Sequence, residues 1–190
     1  MEKHTGRKVI AAAGGVVYYA GNYTGTQFGP TNIYDGNVVV IQHAFKSPDG
    51  KPVYSLYGHM QRVDVQTGKT VKKGDSLGIV GSTGVAFGPH LHFEVRLGDP
   101  NSFHSTRNPE LWIFPFRKYG TLVGRVTDAS GTVLFNAPIQ VKSTDITRYA
   151  YTYADTTVNS DDVFGENFAI GDLSANYYEV SVNDGGKVRF

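Results

Sequence analysis

Short apolar runs alternate along the whole chain with clusters of glycine, asparagine, serine and proline. No segment keeps a 3.6-residue period over three turns, so the pattern predicts short strands joined by turns. Val9 to Ala20 is predicted as a strand, and Gly21 to Gly36, rich in Gly, Asn, Thr and Pro, as a loop. Asn37 to His43 carries the continuous run Val38-Val39-Val40-Ile41, typical of a buried strand. Ser47-Pro-Asp-Gly50 is a turn signature between that run and Val53 to Tyr57, which predicts a hairpin. Further short strands are expected between Val63 and Gly81, punctuated by Gly68, Gly74, Gly78 and Gly81. His90 to Leu97 alternates like a half-buried strand. That places His90, His92 and Glu94 on one face and Leu91, Phe93 and Val95 on the other, the core face.

The style changes near Pro115 to Lys118. Beyond it there is no histidine, lysine is scarcer and the strands are regular and short. Gly120 to Thr127, the turn Asp128 to Gly131, and Thr132 to Val141 predict a second hairpin. Phe168 to Leu173 and Tyr177 to Val182 are two more strand candidates. The expected fold class is all-β: an antiparallel-sheet domain over residues 1–116 and a small β-sandwich over 117–190. About 70 residues suffice for the latter, since domains of that size fold alone.

Composition removes several function classes. Apolar residues make up 40% of the chain and charged residues 18%, enough for a core and unlike a disordered tail. Lys and Arg total 18 against 17 Asp and Glu. There is no basic surplus for nucleic acid, and the densest basic stretch, Lys69 to Lys73, holds only three lysines. The absence of cysteine excludes disulfides and thiol nucleophiles. No apolar run is long enough for a transmembrane helix. The basic start before Val9 to Ala20 imitates a signal peptide, but Gly14, Gly15, Tyr18 and Tyr19 suit a strand better.

The candidate chemistry lies in the histidines. His90-Leu91-His92 sets two imidazoles and Glu94 in a row on one strand face. Imidazoles held rigidly side by side suit zinc. The motif is short, and taken alone a solvent-facing polar row is its plainer explanation. Tyr57-Gly58-His59 adds a third imidazole just after a strand ends, and Val71 to Gly84 is a Gly-rich run leading into the His-x-His pair.

Five features resemble, in order and spacing, the lysostaphin-type zinc metallopeptidases, which hydrolyse peptide bonds of bacterial cell walls. They are Val9-Ile-Ala-Ala-Ala-Gly-Gly15-Val-Val, Asn37-Val-Val-Val-Ile41, Tyr57-Gly-His59, the Gly-rich run, and Gly88-Pro-His-Leu-His-Phe-Glu94. The closing Asn108-Pro109 also fits, so the resemblance runs from about Val9 to Pro109. It implies a zinc-dependent endopeptidase acting on peptidoglycan cross-links. His92 would be a zinc ligand, and His59 and His90 the catalytic imidazoles. Glu94 is either a carboxylate that orients one ring from behind or a plain structural one. An extracellular, periplasmic or cell-surface location is implied, with peptidoglycan peptide as partner.

One departure matters. The family's two other zinc ligands come from a His-x-x-x-Asp motif upstream of the segment matching Val9 to Val17. Here the only upstream histidine is His4, and Lys8 stands four residues on; Glu2 is the only carboxylate before Asp35. The chain is therefore expected to begin just inside the domain and to bind zinc weakly. The alternative is a degenerate, non-catalytic scaffold that binds cell wall or a partner protein. His43 reads as structural and His104 as a solvated loop residue. The C-terminal segment resembles carboxypeptidase regulatory-like, transthyretin-like sandwiches. The residues carrying this are Gly120 to Gly131, Asn136 to Val141, and Phe168 to Leu173 with Tyr178 to Val180. Asp155, Asp161, Asp162 and Glu166 could gather a calcium ion, though their spacing is not that of an EF-hand.

Overall fold

A computed structural model describes residues 6–22, 28–29, 31, 33–156, 158–184 and 187–189, with side chains up to residue 182. The chain divides into two compact units, Met1–Pro109 and Glu110–Phe190, a division earlier than Pro115 to Lys118. Described helix is confined to two 3-10 turns, Phe103–Ser105 and Pro109–Leu111. The class is all-β.

The first unit is one antiparallel sheet. Its strands are β1 (Lys8–Ile10), β2 (Gly15–Gly21), β3 (Asn37–Lys46), β4 (Pro52–Val63), β5 (Thr70–Val71), β6 (Ser76–Val80), β7 (His92–Leu97) and β8 (Thr106–Arg107). They run in the order β1-β6-β4-β3-β2-β5, with β7 paired to β4 and β8. The predicted hairpin is β3 and β4, closed by Gly50 N–H donating to Ser47 O at 2.9 Å. The run Val38 to Ile41 is buried on both faces. Val39 and Ile41 pack with Tyr57, Met60 and Leu77, while Val38 and Val40 pack with Phe28, Tyr54 and Leu56.

Two expectations need correction here. Val9 to Ala20 is not one strand: β1 pairs with β6, and β2 pairs with β3 and β5. β2 opens close against β3, where a Cβ on Gly15 would lie 2.2 Å from Gln42 O. Leu91 is not on a core face. It is 38% exposed, because β7 begins only at His92.

In the second unit β9 (Tyr119–Gly124) pairs with β12 (Phe168–Ser174). A separate sheet runs β11 (Thr147–Tyr151), β10 (Pro138–Lys142), β13 (Glu179–Asp184), β14 (Lys187–Arg189). The hairpin predicted from Gly120 to Val141 is reduced to a bridge between Thr127 and Val133 around the Asp128 turn. Burial explains the change. Leu122, Phe168, Ile170 and Leu173 of one sheet share a core with Ile139, Val141, Val180 and Val182 of the other, so β9 and β10 lie in different sheets. Asp161 and Glu166 are engaged within the fold. Glu166 accepts from Tyr153 Oη at 2.7 Å and from Asp161 N–H at 2.9 Å, and Asp161 accepts from Val163 N–H.

Candidate active site

Two strands, β4 and β7, and the loop ends that carry Asp35 and His90 deliver the site. β4 pairs with β7 from Val53 to Gly58 and with β6 from Met60 to Val63. His59 stands at the changeover, inside the strand and not after its end. Its φ is 57°, a left-handed backbone uncommon for any residue but glycine. Neighbours hold it there: His59 N–H donates to Asp35 O at 2.6 Å, and its ring Nδ1 to Thr83 O at 2.9 Å. Such backbone strain concentrates at functional sites.

His92 lies opposite Gly58 on β7. His90 precedes the strand, bridged to Gly81, with its Nδ1 donating to Gly88 O at 2.8 Å. The three rings converge. Centroids of His59 and His90 are 4.8 Å apart, and those of His59 and His92 5.3 Å. Tyr34 closes one side, edge-on to His92 at 6.1 Å. His59 is buried and His90 exposed, so His90 faces incoming solvent and ligand.

Ring protons follow from partners that can only accept. His59 and His90 each give Nδ1–H to a backbone carbonyl, which leaves Nε2 as the free acceptor on both. His92 is reversed: its Nε2 donates to Glu94 Oε1 at 2.7 Å, so Nδ1 is the nitrogen with a lone pair to offer. Burial lowers the His59 pKa, opposed by the Thr83 bond and reinforced by the neighbouring imidazoles, so the ring is neutral at neutral pH. For His92, burial works against the cation. The Glu94 bond, with the charges of Glu94 and Asp35, outweighs it and raises the pKa. Burial would raise Glu94, but its bonds to His92 and Arg96 hold it below the ordinary carboxylate range.

Asp35, His92 and Glu94 each bring one potential ligand atom to within 4.8 Å of the others. Asp35 is fully buried, with Oδ1 3.7 Å from His92 Nε2. An imidazole beside carboxylates is a donor set that fits zinc. Glu94 is committed on both oxygens, to His92 and to Arg96, and so stands behind the ring. Asp35 and Arg96 escaped the sequence reading. Arg96 had a signal, since it continues the period-2 row His92, Glu94, Arg96. Asp35 had none, because only the folded loop brings it under the sheet. His4 and Glu2 lie outside the described residues. His43 is buried between Gly14 O and Ser55 Oγ, and His104 is exposed in a 3-10 turn.

The model of "Peptidase family M23" matches residues 1–104. The peptidoglycan DD-endopeptidase ShyC of Vibrio cholerae is 34% identical over 109 residues, 57% of this chain and 22% of that protein. The cell division protein DipM of Caulobacter vibrioides is 37% identical over 91 residues, 48% of this chain and 13% of its own length. The chain thus spans less than a quarter of these relatives. Among solved structures, the catalytic domain of lysostaphin from Staphylococcus simulans is 29% identical, with a TM-score of 0.45 over 57% of this chain and 71% of that one. The family match covers more than half of the sequence, and the chain belongs to peptidase family M23.

Proposed function

We propose that the chain is a zinc-dependent endopeptidase that hydrolyses peptide cross-links of bacterial peptidoglycan, working outside the cytoplasm. The observation that carries this reading is the convergence of three differently prepared imidazoles in one family-matched site. His92 would hold zinc through Nδ1, the nitrogen that its bond to Glu94 leaves free, while Asp35 lies 3.7 Å from the other ring nitrogen, Nε2. Zinc, when bound, lowers the pKa of a coordinated water and polarises a scissile carbonyl. His59, kept neutral by burial, accepts a proton at Nε2. His90, exposed at the rim with Nε2 as its free acceptor, takes a hydrogen bond from an N–H of the substrate peptide. Tyr34 stands beside the His59 and His92 rings. The relatives named as peptidoglycan DD-endopeptidases support the substrate class. The second unit we read as an appended carboxypeptidase regulatory-like sandwich acting as spacer or attachment module.

The test is purified chain, loaded with zinc, incubated with isolated peptidoglycan, with the released fragments identified by mass spectrometry. New peptide termini at cross-links are expected, abolished by a chelator and reduced at least about 100-fold in His59→Ala, the range for loss of a general base. No bound zinc and no cleavage, alongside sedimentation with peptidoglycan, would establish a non-catalytic wall-binding scaffold instead.

A further inference from the structure

Among the described residues Arg96 is the largest fully buried side chain, at 0% exposure, and nothing in the reaction proposed above uses it. A guanidinium is costly to bury unless its donors are paired. Here they are paired outward and inward. One Nη donates to Pro100 O at 2.9 Å and the other to Phe28 O at 2.5 Å, which clamps the group to two backbone segments. The Nε donates to Glu94 Oε2 at 2.6 Å. The guanidinium has no acceptor atom. It therefore compels whatever stands at position 94 to turn an oxygen toward it. With Glu94 there, the second oxygen faces His92 Nε2 at 2.7 Å.

We infer that Arg96 is a positioning residue: through Glu94 it fixes His92 as the Nε2–H tautomer and so selects Nδ1 as the metal-binding nitrogen. Carboxylates behind ligating histidines commonly fix tautomer and ring orientation. The distinctive point is that the carboxylate is itself held by a buried, immobile cation. That makes a sharp prediction for Glu94→Gln. Arg96 still demands an oxygen, so the amide NH2 is turned toward His92. A ring nitrogen facing an N–H donor must accept, which inverts the tautomer to Nδ1–H and occupies the metal-binding nitrogen. Removing the guanidinium as well, in Glu94→Gln/Arg96→Met, frees the amide to flip and present its oxygen to Nε2–H. This double variant also removes both charges of the buried Glu94–Arg96 pair together, so neither is left without the other.

The inference rests on the zinc reading, and the two are measured apart. Tautomers are read from imidazole 15N–1H correlation spectra of metal-free protein at a pH where the ring is neutral, with His92 assigned through His92→Gln. Cobalt(II) affinity is read separately from its visible absorption. Wild type is expected to show Nε2–H, and Glu94→Gln to show Nδ1–H with cobalt binding weakened about 10- to 100-fold. The double variant is expected to return to Nε2–H with much of the affinity restored. A single variant that keeps Nε2–H, or a double variant that keeps the single variant's tautomer, overturns the role of Arg96. A wild type that shows the predicted tautomers but binds neither cobalt nor zinc instead overturns the metallopeptidase reading.

Discussion

Gly36 shows how much of the site depends on single positions. Its φ is 62°, and a Cβ there would meet Thr83 C and Oγ1 at 2.3 Å. Thr83 is the residue whose carbonyl accepts His59 Nδ1–H and whose hydroxyl accepts Asn37 N–H. Gly36→Ala therefore strains its own backbone and pushes on the partner that sets the His59 tautomer. A loss of about 1 to 3 kcal/mol in urea denaturation is expected, the range for a clash at a special backbone position. Cleavage should fall by more than the unfolded fraction explains. A variant with unchanged midpoint and unchanged rate would show that the contact relaxes freely. Gly36 falls at the end of the Gly21 to Gly36 loop that the sequence predicts. Its contact with Thr83 is not readable there, because turn chemistry is local and this packing joins distant segments.

Among the strands, β3 and β4 carry a buried polar link that ties them to the start of β2. His43 Nδ1 donates to Gly14 O at 3.1 Å and its Nε2 lies 2.9 Å from Ser55 Oγ. Ser55 Oγ lies 3.0 Å from Tyr57 Oη, which accepts Ala12 N–H at 2.8 Å. Burial lowers the His43 pKa below its ordinary value of 6.5, with the Gly14 bond opposing. The unfolded chain therefore binds a proton more readily than the folded one. Stability from this group is complete above about pH 6.5 and is lost as pH falls below it toward the folded value. Thermal melts should show wild type losing stability between pH 7.5 and pH 5, and His43→Gln losing less over the same interval. An equal slope in both proteins would place the pH dependence elsewhere. The strand and its hairpin were readable from the apolar run and the Ser-Pro-Asp-Gly turn. The proton-bonded link was not, since a lone histidine in a strand gives no hint of its partners.

Across the whole molecule, the two units keep separate cores. Ile139, 1% exposed, packs in the second with Val141, Phe168 and Ile170. Ile139→Ala should cost about 2 to 5 kcal/mol in that unit through lost burial and a residual cavity. Hydrogen exchange should accelerate in β9, β10, β12 and β13 while β3 and β4 keep their protection. Equal acceleration in both units would mean that they unfold as one.

The all-β class and the strands β3, β4 and β7 follow from alternation, apolar runs and turn residues, because these report local backbone preference and burial. The shared face of His92 and Glu94 follows from the two-residue period alone. The tertiary structure decided the rest. It split Val9 to Ala20 between the edge strand β1 and the inner strand β2 and sent β9 and β10 to different sheets, because pairing partners depend on which apolar faces must meet. It turned His59 into the cluster at the point where β4 exchanges β7 for β6, and drew Asp35 and the Arg96 clamp beneath it. Those contacts join residues far apart in the chain, and long-range packing leaves no local pattern from which to read them.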